Sequence, residues 1–245
     1  MKITKELLKE KGACAAGYRD FLKEYPVDKY PDGVEYQELL DCCAEKNFSY
    51  GSWLLGAFGK TDEIRKIDGD LIVEKGIIFA GRLEVKGCIK AGWGIKAGNG
   101  IKAGRGIKAG WDIEAGWGIE AGNGIKAGYG IEGGFGIEAG NGIKAGLGIE
   151  AVLGIEAGEG IEAGWGIKAG YGIEAGNGIK AGYGIKAGYG IEAGDGIKAG
   201  DEYGIYAGLR CRITNKTLRK IIAKKRPENI MCGEFEEKSD SEGKA

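Results

Sequence analysis

Isoleucine recurs at every sixth position from Ile89 to Ile197, which gives 19 isoleucines without an exception. The residue two places later is alanine in 18 of these 19 units, and Gly133 is the exception. The unit reads Ile-(Lys/Glu)-Ala-Gly-x-Gly. In a short strand the isoleucine and alanine point to one side and the charged residue to the other. The repeat therefore predicts strands of about three residues joined by bends, where we expect glycine to supply backbone angles closed to other residues.

The variable position between the two glycines sorts with a period of 18 residues. Two of the three resulting rows are mainly large and apolar, and the third is polar. The first aromatic row is Trp93, Trp111, Tyr129, Leu147, Trp165 and Tyr183. The second aromatic row is Asn99, Trp117, Phe135, Leu153, Tyr171 and Tyr189, and the polar row is Arg105, Asn123, Asn141, Glu159, Asn177 and Asp195. Three units therefore close one turn, which predicts a triangular cross-section.

The charged position sorts with the same period and predicts three different faces. The lysine face carries Lys90, Lys108, Lys126, Lys144, Glu162, Lys180 and Lys198. The glutamate face carries Lys102, Glu120, Glu138, Glu156, Glu174 and Glu192. The mixed face carries Lys96, Glu114, Glu132, Glu150, Lys168 and Lys186. A partner of opposite charge could be oriented by the first two faces.

The repeat is framed by less regular sequence. Leu71, Ile77 and Leu83 hold the same phase upstream, which makes 22 units, and two extra residues at Asp201 and Glu202 precede a last unit. We predict a mainly β protein, a single-stranded triangular parallel β-helix of about seven coils over residues 67–209.

The two ends of the chain are predicted to differ from the array. Residues 1–66 form a small helical domain with helices at 5–11, 16–25 and 34–46 and an apolar segment at 52–58. We expect this domain to cover the open end of the array. Residues 210–232 are predicted to form a basic capping helix, centred on 214–225, and residues 233–245 a disordered acidic tail.

The six-residue unit resembles the repeat of the hexapeptide-repeat left-handed β-helix family, whose members use three units per triangular coil. Many of those proteins are acyltransferases with a catalytic histidine, and this chain has no histidine, so that activity does not carry over. The opening segments LLKEKGAC and GVEYQELLDCCAEKNFSYGSWLL are similar to a small helical domain of uncharacterised phage and prophage proteins. That second resemblance implies a viral origin.

Composition excludes most catalytic chemistry. The absence of histidine removes the commonest general base and zinc ligand, and we predict no cofactor and no metal. The recurring Gly-x-Gly triplets lack the strand-to-helix setting of a nucleotide-binding loop, and the repeated glutamates indicate a solvated face rather than a catalytic pair. Cys14 is interpreted as a small core residue rather than a nucleophile. No cysteine pair has C-x-x-C spacing and no apolar leader or membrane span is apparent, so we expect a cytoplasmic protein with reduced thiols.

The leading hypothesis is a non-enzymatic binding protein, phage-encoded, that inhibits a bacterial host protein such as a nuclease or other defence component, as an anti-CRISPR protein does. The predicted binding residues on the charged faces are Lys90, Lys108, Lys126, Lys144, Lys180 and Lys198, and Glu120, Glu138, Glu156, Glu174 and Glu192. The predicted aromatic stripes are Trp93, Trp111, Tyr129, Trp165 and Tyr183, and Trp117, Phe135, Tyr171 and Tyr189.

A basic patch near the C-terminus is a candidate site for nucleic acid. It comprises Arg210, Arg212, Lys216, Arg219, Lys220, Lys224, Lys225 and Arg226. Two other function classes stay open. One is a structural protein that self-assembles into a homo-oligomer through complementary faces or open coil ends, and the other is an enzyme with its site in the N-terminal domain.

Overall fold

The computed structural model describes residues 1–210 and 214–239, which form a parallel β-solenoid with a small helical region at its N-terminal end. The helices are α1 (Lys5–Glu10), α2 (Ala15–Glu24), α3 (Tyr36–Lys46) and α4 (Phe48–Phe58). A short antiparallel ladder joins β1 (Lys2–Ile3) to β2 (Val34–Glu35). The four helices lie close to the predicted segments, and Thr4 caps α1 through its side chain as its sequence position indicates.

Successive strands of the solenoid join three parallel sheets in turn. The lysine sheet contains β4 (Leu71–Val73), β7 (Ile89–Ala91), β10 (Ile107–Ala109), β13 (Ile125–Ala127), β16 (Ile143–Ala145), β19 (Ile161–Ala163), β22 (Ile179–Ala181) and β25 (Ile197–Lys198). The mixed sheet contains β5 (Ile77–Phe79), β8 (Ile95–Ala97), β11 (Ile113–Ala115), β14 (Ile131–Gly133), β17 (Ile149–Ala151), β20 (Ile167–Ala169), β23 (Ile185–Ala187), β26 (Ile205–Tyr206) and β28 (Ile230–Cys232). The glutamate sheet contains β3 (Ile64–Ile67), β6 (Arg82–Val85), β9 (Ile101–Ala103), β12 (Ile119–Ala121), β15 (Ile137–Ala139), β18 (Ile155–Ala157), β21 (Ile173–Ala175), β24 (Ile191–Ala193), β27 (Lys220–Ala223) and β29 (Glu234–Glu237).

The register confirms the 18-residue turn. Ile107 pairs with Ile89 on one side and with Ile125 on the other. The two-residue insertion is confirmed as well, since Ile185 pairs with Ile205, twenty positions later. Isoleucine and alanine point inward along the whole array and are almost completely buried. Burial of this continuous apolar stack is the main favourable term that holds the turns together.

The prediction of seven coils is wrong. Over the described residues the glutamate sheet has ten strands, so the solenoid has about ten turns and is about 45 Å long. The additional strands are β3 before the first counted unit and β27, β28 and β29 after the last one. None of these strands carries the six-residue pattern, so counting repeat units misses them.

The predicted C-terminal capping helix is also wrong. The segment forms one short 3₁₀ turn at Lys216–Arg219 and then strand β27, whose Ile221 and Ala223 continue the buried stack. Addition to an open sheet edge satisfies the backbone hydrogen bonds of both strands and buries the alternating apolar residues, which a helix would not do. The predicted disordered tail is wrong for Glu234–Glu237, which form β29, and its residues 240–245 lie outside the described residues.

The first glycine of each unit in the array is required for space rather than for an unusual backbone angle. Over the described residues, the only glycines with a positive φ are Gly12, Gly33, Gly59, Gly208 and Gly233, and of these only Gly208, in the last unit after the insertion, belongs to the repeat. A methyl group on Gly146, the glycine that follows the alanine, would lie only 2.0 Å from the carbonyl oxygen of Gly128 in the preceding turn. The expectation of special backbone angles is therefore wrong for the units from Ile89 to Gly200, where the close approach of successive turns explains the first glycine instead.

The helical domain docks on the side of the solenoid, not over its open end. Ile78, the outward residue of β5, is only 1% exposed because it belongs to the same buried cluster as the helices. Gln37 of α3 fixes the contact, since its Nε2 donates to the Ile78 carbonyl at 2.8 Å and its Oε1 accepts from the Ala80 amide at 3.1 Å. At the end itself, Leu71 and Val73 stay half-buried.

Candidate binding faces

The lysine sheet presents a ladder of like charges. Lys108 lies directly between Lys90 and Lys126 in the register, and the ladder continues through Lys144. These side chains are exposed along a groove of about 870 Å³. The groove runs along the sheet from β7 to β25, so the outward residues from Lys90 to Lys198 border one continuous surface.

The lysine ladder is interrupted once, and there an ion pair forms. Lys144 Nζ donates to Glu162 Oε2 at 2.7 Å, and this hydrogen bond and charge hold the pKa of Glu162 below its ordinary value. Wherever opposite signs fall in adjacent turns, the spacing of one turn suits an ion pair between exposed side chains. The like-charged positions on either side gain no such contact from their ladder neighbours.

The glutamate sheet presents the complementary ladder. Glu138 lies between Glu120 and Glu156, and the ladder continues through Glu174 and Glu192. A groove of about 750 Å³ runs along these carboxylates and is bordered by side chains of the second aromatic row. Burial raises the pKa of Glu174, and the neighbouring charges of Glu192 and Glu156 raise it further.

The mixed sheet differs because part of it is covered. Its first strand lies under α3 and α4, and a narrow cleft separates α4 from Lys96 and Glu114, which form an ion pair. Farther along, Glu150 and Lys168 form a second ion pair on the uncovered part. That part holds a groove of about 660 Å³ bordered by the first aromatic row.

Rings in both aromatic rows contact the ring of the neighbouring turn, as the period of 18 predicts, and the first row contains stacked pairs. The Trp93 and Trp111 rings are nearly parallel with centroids 5.2 Å apart, and Tyr183 stacks on Tyr203 at 4.5 Å across the two-residue insertion. In the second row Trp117 meets Phe135 edge to face at 6.2 Å. Several of these rings stay largely exposed nevertheless, so they cover the bends and also present an apolar surface.

The basic C-terminal patch is partly neutralised within the chain. Ion pairs join Lys216 to Glu234, Lys220 to Glu236 and Lys224 to Asp195. Two of these acidic partners belong to β29, in the segment that the sequence predicts to be a disordered tail. The Arg226 guanidinium lies over the Phe235 ring, and the Arg210 amide donates to the Gly188 carbonyl. Arg212 lies outside the described residues, and the patch as a whole offers fewer unengaged charges than its composition suggests.

Cys14 is exposed, so its interpretation as a core residue is wrong. Its Sγ accepts a hydrogen bond from the Gly17 amide at 3.4 Å and thereby caps α2. It lies at a mainly apolar cavity of about 300 Å³ lined also by Phe21, Tyr50 and Trp53. Within residues 1–210 and 214–239, no group of three Cys, Asp or Glu side chains is placed to hold a metal ion. Over the same residues, no helix has the length and apolar character needed to span a membrane.

Comparison of the chain with protein families, with curated proteins and with solved structures gave no match. The resemblances to hexapeptide-repeat proteins and to phage proteins therefore stay predictions.

Proposed function

We propose that this chain is a non-enzymatic binding protein that holds a protein partner against its lysine and glutamate sheets. The observation that carries the proposal is the register, which stacks Lys90 to Lys144 on one sheet and Glu120 to Glu192 on another. A linear partner surface of opposite charge fits either ladder. In this proposal the chain acts by covering part of its partner's surface, and no catalytic step is involved.

Repulsion between like charges within each ladder destabilises the folded chain. A binding function explains why such ladders are present nevertheless. Unit charges about 4.8 Å apart repel by about 0.9 kcal/mol in unscreened water, and by less in salt. An alternating pattern would have replaced this repulsion with ion pairs such as Lys144 to Glu162. A partner with complementary charge removes the repulsion and gains orientation and a faster association rate.

The proposal has a narrower form. The partner is a bacterial host protein, a nuclease or another defence component, and the chain is a phage-encoded inhibitor that covers its surface. This form is supported by the resemblance of the opening segment to phage proteins. The same proposal takes the solenoid as a triangular prism of the hexapeptide-repeat kind, with the three sheets as its flat faces.

Charge reversal tests the proposal. The partner is first captured from a lysate of the native host and identified by mass spectrometry. Binding of the purified partner is then measured for the triple variant Lys108→Glu, Lys126→Glu, Lys144→Glu and for the triple variant Glu120→Lys, Glu138→Lys, Glu156→Lys. We expect at least one triple variant to lose binding by tenfold or more with unchanged circular dichroism.

The matched control keeps the charge. The variant Lys108→Arg, Lys126→Arg, Lys144→Arg retains a cationic ladder of the same spacing, so we expect its binding to stay within a factor of a few of the parent. If both charge-reversed triples bind the partner like the parent, the two charged sheets are not the interface.

A second candidate function is self-assembly, and the order of charges favours it. When the glutamate sheet of one copy meets the lysine sheet of another in antiparallel orientation, six consecutive positions are complementary. The pairs are Glu84–Lys180, Lys102–Glu162, Glu120–Lys144, Glu138–Lys126, Glu156–Lys108 and Glu174–Lys90. The contact joins different faces, so it propagates into an open polymer. It predicts particles that grow with concentration and shrink with added salt.

A further inference from the structure

The uncovered half of the mixed sheet carries two acidic residues followed by two basic ones. Glu132, Glu150, Lys168 and Lys186 lie on adjacent strands β14, β17, β20 and β23, and all four side chains are exposed. We infer that this surface binds the same surface of a second copy of the chain. The two copies lie antiparallel, related by a two-fold axis that passes between Glu150 and Lys168.

Charge order supports this pairing. The axis places Glu132 opposite Lys186 of the second copy and Glu150 opposite Lys168, and the symmetry repeats both contacts. Four complementary pairs therefore form across the interface. The Glu150–Lys168 ion pair within each copy adjoins its symmetry mate, which makes a four-charge network at the centre.

The lysine sheet and the later turns of the glutamate sheet lack this property. On the lysine sheet only Glu162 breaks the cationic ladder, so a two-fold axis sets lysine against lysine at most positions. On the glutamate sheet only Lys102 breaks the anionic ladder from Glu84 to Glu192, with the same consequence. The mixed ladder is self-complementary over four successive turns, and so is the alternating run Lys66, Glu84, Lys102 and Glu120 at the start of the glutamate sheet, whose charges form ion pairs within the chain.

Apolar side chains border the same surface. Trp165 is 51% exposed and Tyr183 is 44% exposed, and both line the groove beside the mixed ladder together with Leu147 and Tyr203. Large aromatic side chains are the residue types that most often anchor protein interfaces. The surface thus combines a charged central row, which sets the register, with an apolar border, which supplies the contact energy.

The docked helices fit the antiparallel arrangement and no parallel one in the same register. The axis sets Lys96 of one copy opposite Met231 of the other, so Ile78 lies beyond the last strand β28, and the part of α4 that adjoins Lys96 and Glu114 meets β26 and β28 of the second copy. Each helical domain therefore lies at the far end of the other copy, where Met231 is 65% exposed. A parallel arrangement would bring the two helical domains into collision. The dimer leaves the lysine and glutamate sheets of both copies accessible.

Complementary charge swaps test the dimer in the full-length chain. Sedimentation equilibrium should give twice the chain mass of 25.8 kDa for the parent. The variant Lys168→Glu, Lys186→Glu makes the surface wholly acidic, and the variant Glu132→Lys, Glu150→Lys makes it wholly basic. We expect each variant alone to dimerise at least tenfold more weakly, and an equimolar mixture of the two to recover the parental dimer.

The fourfold variant that carries all four swaps restores self-complementarity about the same axis, so we expect it to dimerise like the parent. Folding of the acidic variant has a native precedent, because the glutamate sheet already stacks five glutamates. A monomeric parent, or swapped variants that dimerise like the parent, would overturn the inference. Open-ended growth of the parent would overturn it as well and would indicate pairing of lysine sheet with glutamate sheet.

Discussion

The first turn of the solenoid and the later turns bury the same kind of stack but present different residues to the outside. In the first turn β4 and β5 carry Ile72 and Ile78 at the outward position, where later turns carry lysine or glutamate. Ile78 is covered by the helical domain, whereas Ile72, at the equivalent position of the lysine sheet, is 61% exposed. The inward residues therefore follow from the winding of the chain, whereas an outward isoleucine can be either covered, as Ile78 is, or exposed, as Ile72 is.

The largest expected effect is the difference between the same substitution at these two outward isoleucines. Ile78→Asp puts a charge into the contact between β5 and the helices, and we expect it to weaken docking by at least about 3 kcal/mol. Limited proteolysis should then cleave the segment 1–60 faster, while thermal unfolding of the solenoid, followed by circular dichroism, persists as a separate transition.

Ile72→Asp is the matched control in the same turn. Because its side chain is already exposed, we expect a change within about 0.5 kcal/mol and an unchanged proteolysis pattern. Equal effects of the two substitutions would show that the helical domain does not dock through β5.

The glycines give the next largest effect. Gly146→Ala directs a methyl group at the Gly128 carbonyl, and we expect a loss of about 1–3 kcal/mol in the free energy of unfolding. Gly148→Ala, in the same bend, places its methyl 3.5 Å from the nearest atom, the Gly166 carbonyl oxygen. It should be neutral or slightly stabilising, since alanine reduces the entropy of the unfolded chain. Denaturant unfolding of the two variants measures the difference.

The same bend position behaves differently beneath the helices. A methyl group on Gly94 would lie 2.7 Å from the Phe48 ring, so Gly94→Ala should destabilise where Gly148→Ala does not. If Gly94→Ala and Gly148→Ala are equally well tolerated, Phe48 does not pack against this turn as the structure has it.

One native exception limits the rule for the first glycine. Val152 occupies that position, and the strand beneath it carries Gly133 where every other unit of the isoleucine array carries alanine. At the alanine and first-glycine positions of the isoleucine array, the only two departures therefore adjoin each other in neighbouring turns. Their proximity indicates that the loss of one Cβ accompanies the gain of another.

The spacing of the repeat predicts the structure of the repeated units, but it does not predict the structure of segments that occur only once in the sequence. The 18-residue turn, the inward isoleucines, the stacked aromatic rings and the skipped pair at Asp201 and Glu202 all follow from residue spacing. The C-terminal strands do not, because Lys220–Ala223 is short, basic and flanked by irregular sequence, and its stability comes from an open sheet edge that only the fold provides. The ion pairs from β29 to Lys216 and Lys220 cannot be predicted from the sequence for the same reason.

The lateral docking of the helices had one signal in the sequence. Ile78 breaks the alternation of the strand at an outward position, which indicates a covered surface. Ile72 breaks it in the same way and stays exposed, so the pattern alone did not identify which of the two faces the helices occupy.

The smallest expected effect is on the free energy of unfolding when each of two glutamates in the uncovered turns is replaced by glutamine. The pKa of Glu174 is raised, so its carboxylate opposes folding at neutral pH, and this unfavourable contribution fades as the pH falls towards the ordinary value of about 4.3. The pKa of Glu162 is lowered, so its carboxylate stabilises the fold above the unfolded-state pKa and this contribution is lost on acidification. At pH 7 Glu174→Gln should therefore raise the free energy of unfolding and Glu162→Gln should lower it, each by less than about 1 kcal/mol because both side chains meet solvent. Urea unfolding at pH 7 and pH 4 should show opposite signs at the higher pH and smaller differences from the parent at the lower one, and equal signs at pH 7 would mean that neighbouring charges do not control these two residues.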